Sequence, residues 1–151
     1  MADRNRRMRL VTALPPLLLL AACHGGANEA AGAKGAGATN YAGIGEGETL
    51  RFTGTEPFWG GRVTGGALTY ETPEKPEGIA IAVRRLAGNN GLAFSGTVDG
   101  GAFDMAVSEA PCSDGMSDRT YPFTVTLQFA GETRHGCGWT DARKFTGPES
   151  P

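Results

Sequence analysis

The chain has 151 residues, with 14 Lys plus Arg against 16 Asp plus Glu and a net charge of −2 when histidine is neutral. Four of the basic residues and one acidic residue fall within the first 22, leaving ten bases against fifteen acids, a net of −5, for the remainder. An acidic remainder without basic clusters argues against nucleic acid as a partner and against charge-driven binding to anionic lipid.

At the N-terminus, Arg4, Arg6, Arg7 and Arg9 precede an apolar run from Leu10 to Leu20 that Pro15-Pro16 interrupts. A membrane-spanning helix needs about 20 apolar residues, so this run is too short to stay in a bilayer. Its basic start, apolar centre and small residues predict a secretory signal over residues 1–22. Leu20-Ala21-Ala22-Cys23 resembles a bacterial lipobox. That resemblance implies cleavage before Cys23, a diacylglyceryl thioether on its sulfur and an N-acyl chain, such as palmitate, on its new amino group. Two or three acyl chains make membrane attachment stable where one does not. His24 stands where an Asp would signal inner-membrane retention, so the expected location is the outer membrane, facing the periplasm. A cleaved, soluble secreted protein is the rival reading.

Residues 23–47 are expected to be a lipid-anchored flexible tether. Eight Gly and seven Ala in the 24 residues His24–Gly47 supply too little apolar surface to offset the chain entropy of folding. The folded part is expected over residues 48–146, one small domain with a single core, followed by a disordered tail at 147–151.

Within that domain the clearest pattern is Tyr121 to Phe129, where every odd position is apolar and Pro, Thr or Gln stands between, as in a half-buried strand. Earlier segments alternate in the same way: Ile79, Ile81 and Val83; Leu92, Phe94 and Val98; Phe103, Met105 and Val107. Weaker candidates are Thr49–Thr53, Phe58–Thr64, Ala67–Glu71 and Glu132–Thr140. Asn89-Asn90-Gly91 and Asp99-Gly100-Gly101 supply residues that tolerate positive φ in tight hairpins, and Gly65-Gly66 and Gly131 mark further turns. About eight antiparallel strands in sequential hairpins, with no helical period, predict an all-β fold. A small up-and-down barrel or curved meander best removes exposed sheet edges, and a two-sheet sandwich is the alternative.

With Cys23 assigned to lipid, Cys112 and Cys137 form an even pair in an oxidising compartment, which predicts a disulfide. It would pin the long loop from Pro111 to Arg119 to the last strand. That loop concentrates Ser113, Asp114, Met116, Ser117, Asp118 and Arg119. Two readings stand side by side: Asp114 and Asp118 cap turns while Arg119 pairs with one of them, or the segment is a binding loop. A second constellation is Glu56-Pro57-Phe58-Trp59, just before a strand. Phe58 and Trp59 must point to opposite sides, one into the core and one to a rim, where Glu56 either bonds backbone amides or meets a ligand.

Gly54-Thr-Glu-Pro-Phe-Trp59, Thr72-Pro73-Glu74, and Pro111-Cys-Ser-Asp-Gly-Met-Ser-Asp-Arg-Thr-Tyr-Pro122, with Gly136-Cys137 near the end, together resemble a family of uncharacterised bacterial envelope lipoproteins. The resemblance covers about Gly54 to Cys137. It implies a compact β domain with Cys112 and Cys137 paired, and it carries no established activity, so no catalytic residue follows from it. The functional expectation is a non-enzymatic module. It would bind a periplasmic ligand or protein through Glu56, Phe58, Trp59, Ser113, Asp114, Met116, Asp118 and Arg119, without a cofactor or metal. One alternative is an envelope enzyme or metal-handling protein using His135 and the Cys112–Arg119 loop, since Met116, Cys112, Cys137 and His135 together would suit Cu(I). Another is a purely structural envelope component.

Overall fold

A computed structural model describes residues 40–148. The signal segment, Cys23, the greater part of the tether and residues 149–151 lie outside the described residues. Eight strands follow one another: β1 (Leu50–Thr55), β2 (Phe58–Thr64), β3 (Ala67–Thr72), β4 (Lys75–Ala87), β5 (Gly91–Val98), β6 (Gly101–Cys112), β7 (Tyr121–Phe129) and β8 (Glu132–Thr140). Each pairs antiparallel with its sequence neighbour, and β1 also pairs with β8, closing an up-and-down barrel. Closure leaves no free edge to template aggregation. The sandwich and open-meander alternatives are thereby excluded.

The alternation that marks the strands also sets the register. Phe103, Met105 and Val107 of β6 lie opposite Phe129, Leu127 and Val125 of β7, and all six point inward. The interior is filled rather than hollow: Phe52, Phe103, Phe123, Leu50, Leu68, Met105 and Leu127 are among the side chains with almost no exposure. A contact chain of rings, Phe52–Trp59–Tyr70–Phe103, with Phe129 against both Tyr70 and Phe103, crosses the interior at centroid separations of 5.7–6.3 Å. Such offset and edge arrangements suit aromatic quadrupoles.

Turn chemistry follows the sequence at one site and departs from it at another. Asp99 and Gly100 both have positive φ, 49° and 79°, as the tight β5–β6 hairpin requires. Asn89 and Asn90 do not. The β4–β5 connection is instead held by Gly88 N–H donating to the Gly91 carbonyl at 2.9 Å, so no left-handed residue is needed there. The β7–β8 turn uses Ala130 and Gly131, both at positive φ.

The expected tether boundary shifts. Tyr41 donates its backbone N–H to the Gly88 carbonyl at 2.7 Å, and Ile44, 2 % exposed, belongs to the core cluster. Arg85, on an inward-phase position of β4, donates to the Ile44 carbonyl at 2.7 Å. A single isoleucine in a glycine-rich stretch thus stoppers one barrel end, and the packed domain begins near residue 40 rather than 48.

Candidate binding site at the barrel mouth

In an up-and-down barrel, alternate turns gather at opposite ends. The β1–β2, β3–β4, β5–β6 and β7–β8 turns share one end. The Ile44 stopper, the β6–β7 connection and the start of β1 belong to the other.

At the first end, the β1–β2 turn carries the Glu56-Pro57 peptide in the cis form, and the flanking side chains divide as alternation requires. Trp59 enters the core at 3 % exposure, whereas Phe58 stands out at 55 %. Trp59 is therefore a core residue and not a rim contact. Its indole lies over Gly54, its cross-strand neighbour, and over Gly136 of β8. A methyl group at Gly54 would overlap the indole nitrogen, and one at Gly136 would come within 2.9 Å of the ring. The buried Nε1 has no hydrogen-bond partner among the described residues.

At the same end opens a cavity of about 720 Å³ lined by Thr55, Glu56, Pro57, Phe58, Thr72, Pro73, Glu74 and Arg134. Phe58 and two prolines give apolar walls, and Glu56 and Glu74 supply carboxylates. Arg134 comes from an inward-phase position of β8, opposite Leu127. Its guanidinium is held by Glu132, with Nη2 donating at 2.7 Å and Nε at 3.1 Å, and it also donates to the Tyr70 hydroxyl. Burial raises the Tyr70 pKa, with Glu132 and Glu74 adding to the rise and Arg134 opposing it. The phenol is therefore neutral. Among the described residues, Glu56 and Glu74 make no hydrogen bond or ion pair. Sequence reasoning missed Arg134; its one signal was that it shares the alternation phase of the buried Gly138 and Thr140.

The Cys112–Arg119 loop is a different kind of feature. Cys112 and Cys137 are joined by a disulfide, with Cα atoms 5.5 Å apart. Cys137 faces outward from β8 yet is fully buried, because the loop covers it. The Asp114 carboxylate organises the loop from within: Oδ1 accepts from the Met116 and Ser117 amides at 3.0 and 2.8 Å, and Oδ2 from the Ser117 and Tyr121 hydroxyls at 2.8 and 3.2 Å. Desolvation pushes its pKa upward, but these four donors outweigh it and bring the pKa down to about 2. Asp114 is thus a turn cap, the plainer of its two readings. Arg119 donates Nε to the Pro148 carbonyl at 2.7 Å and lies 4.6 Å over the Phe145 ring. Phe145 packs with Tyr121 and Trp139 in a second aromatic cluster outside the main core. Met116, at 64 % exposure, and the exposed Asp118 face solvent.

Loop and rim meet at one point. Thr55 lines the mouth cavity and also donates its hydroxyl to the Asp114 carbonyl at 3.3 Å. His135 lies with Thr55, Ser113 and Asp114 along a second hollow of about 300 Å³ on the outer wall, where its Nδ1 is 3.5 Å from the Thr126 hydroxyl. The disulfide takes both thiolates that the Cu(I) reading needed. Among the described residues no three His, Cys, Asp or Glu side chains are grouped to hold a metal ion.

These features define a small closed β-barrel with a packed interior, a disulfide-strapped outer loop and a mouth cavity flanked by Phe58. No protein-family model, curated protein or solved structure matches the chain.

Proposed function

We propose that this is a lipoprotein anchored through Cys23 to the outer membrane, whose barrel is a non-enzymatic module that binds a periplasmic ligand or protein at its mouth. The observation that carries the reading is the mouth cavity itself. A packed barrel has no interior ligand chamber, so an open cavity with an exposed Phe58 between unpaired Glu56 and Glu74 is where binding energy is available. Asp114 and Trp59 support the mouth from below and from the side, the one as a loop cap and the other as a core ring. The Asp114 carboxylate is taken up by its own loop, and the Trp59 ring is buried.

Hydrogen exchange on the mature protein, with and without envelope extract of the native cells, tests this reading. Added protection at residues 55–58 and 72–75 is expected. Protection confined to the wall strands or to the loop at 113–120 would place binding elsewhere and overturn it.

A further inference from the structure

The mouth differs in charge from the other end of the barrel. Its four turns carry Glu56, Glu74, Asp99 and Glu132 against Lys75, and Arg134 just below is already held by Glu132. At the opposite end three ion pairs form, Arg51 with Asp141, Arg143 with Glu109 and Arg85 with Glu46, and Glu48 accepts from the Gly45 amide. Two carboxylates with no ion pair among the described residues, Glu56 and Glu74, thus line the cavity beside the exposed Phe58.

Resting on the binding reading above, we infer that the mouth receives a Lys- or Arg-bearing segment of a partner protein. A long cationic side chain has two parts, and the mouth offers a surface to each. The aliphatic stem lies along Phe58, Pro57 and Pro73, and the charged head meets Glu56 and Glu74 at the cavity edge. The exposed face of Phe58 adds attraction for a cation above its ring. An anionic ligand finds no free cation to match there except Lys75, since the Arg134 donors are engaged by Glu132 and Tyr70. An anionic lipid surface is repelled by the same carboxylates.

The test is an NMR titration of the full mature chain in neutral detergent at low salt, using an acetylated and amidated Lys-Ala-Lys-Ala-Lys peptide and its all-Glu counterpart. The lysine peptide is expected to shift the amides of Thr55, Glu56, Phe58, Thr72, Glu74, Lys75 and Arg134. The Glu56→Gln/Glu74→Gln double variant should weaken that binding about tenfold or more, and the glutamate peptide should leave these amides unmoved. Shifts spread over both ends, equal binding to the double variant, or preference for the glutamate peptide would each overturn the inference. Protection by envelope extract at the same turns, with no response to the lysine peptide, would leave the binding reading in place and refute only the cationic partner.

Discussion

Asp114 shows how a residue that invites a functional reading can be spent on architecture. Its carboxylate accepts four hydrogen bonds within its own loop, so Asp114→Ala should cost about 1–2 kcal/mol, the range for a lost cap. The pH dependence follows from its folded pKa of about 2, below an unfolded value near 3.9. A carboxylate with a depressed folded pKa contributes stability that is complete above about pH 4 and disappears as pH falls toward 2. Thermal melts of wild type and Asp114→Asn between pH 2 and 5 should therefore converge at the acid end. A constant gap across that range would show that Asp114 does not titrate as described. Ile44 and Arg134 are the opposite case, residues whose roles the sequence concealed. Ile44 stands alone among glycines and alanines, with no periodicity to report its burial. Arg134 sits between Thr133 and His135, and the inward positions after it are Gly136, Gly138 and Thr140, so no apolar alternation marks β8. Ile44→Ala should lower stability by about 2 kcal/mol or more in urea unfolding, as a buried side chain does and a tether residue does not.

At the scale of the elements, the strands were readable because inward and outward positions alternate so regularly in β5, β6 and β7. What alternation cannot report is the pairing of β1 with β8, which joins the two ends of the domain and depends on the whole sheet curling. Gly54 and Gly136 are part of that seam: they lie side by side across β1 and β8 beneath the Trp59 ring of β2. Gly54→Ala should therefore destabilise the barrel by about 1–3 kcal/mol through overpacking, seen as a lower denaturant midpoint with unchanged slope. The disulfide acts on the same region from outside, strapping the end of β6 to β8. Reduction should cost about 3.5 kcal/mol by loop-closure entropy over the 24 enclosed residues. Equal unfolding curves with and without reductant would contradict a stabilising strap.

For the whole molecule, the two ends of the barrel differ: Ile44 and Arg85 pack into one, and the other carries an apolar-walled cavity with Glu56 and Glu74 on its lining. Cys23→Ser should move the protein from the membrane fraction to the soluble fraction and leave the barrel folded. Continued sedimentation with membranes would refute lipid anchoring. The central claim is that the mouth, and not the loop or the wall, is what this barrel presents to its surroundings. Its most direct test is photo-crosslinking in living cells with a reactive amino acid placed at Phe58 or, for comparison, at the exposed wall residue Ala80. A discrete crosslinked species formed from position 58, absent from position 80 and lost in the Glu56→Gln/Glu74→Gln background is the predicted result. Crosslinks of equal pattern from both positions, or from position 80 alone, would contradict it.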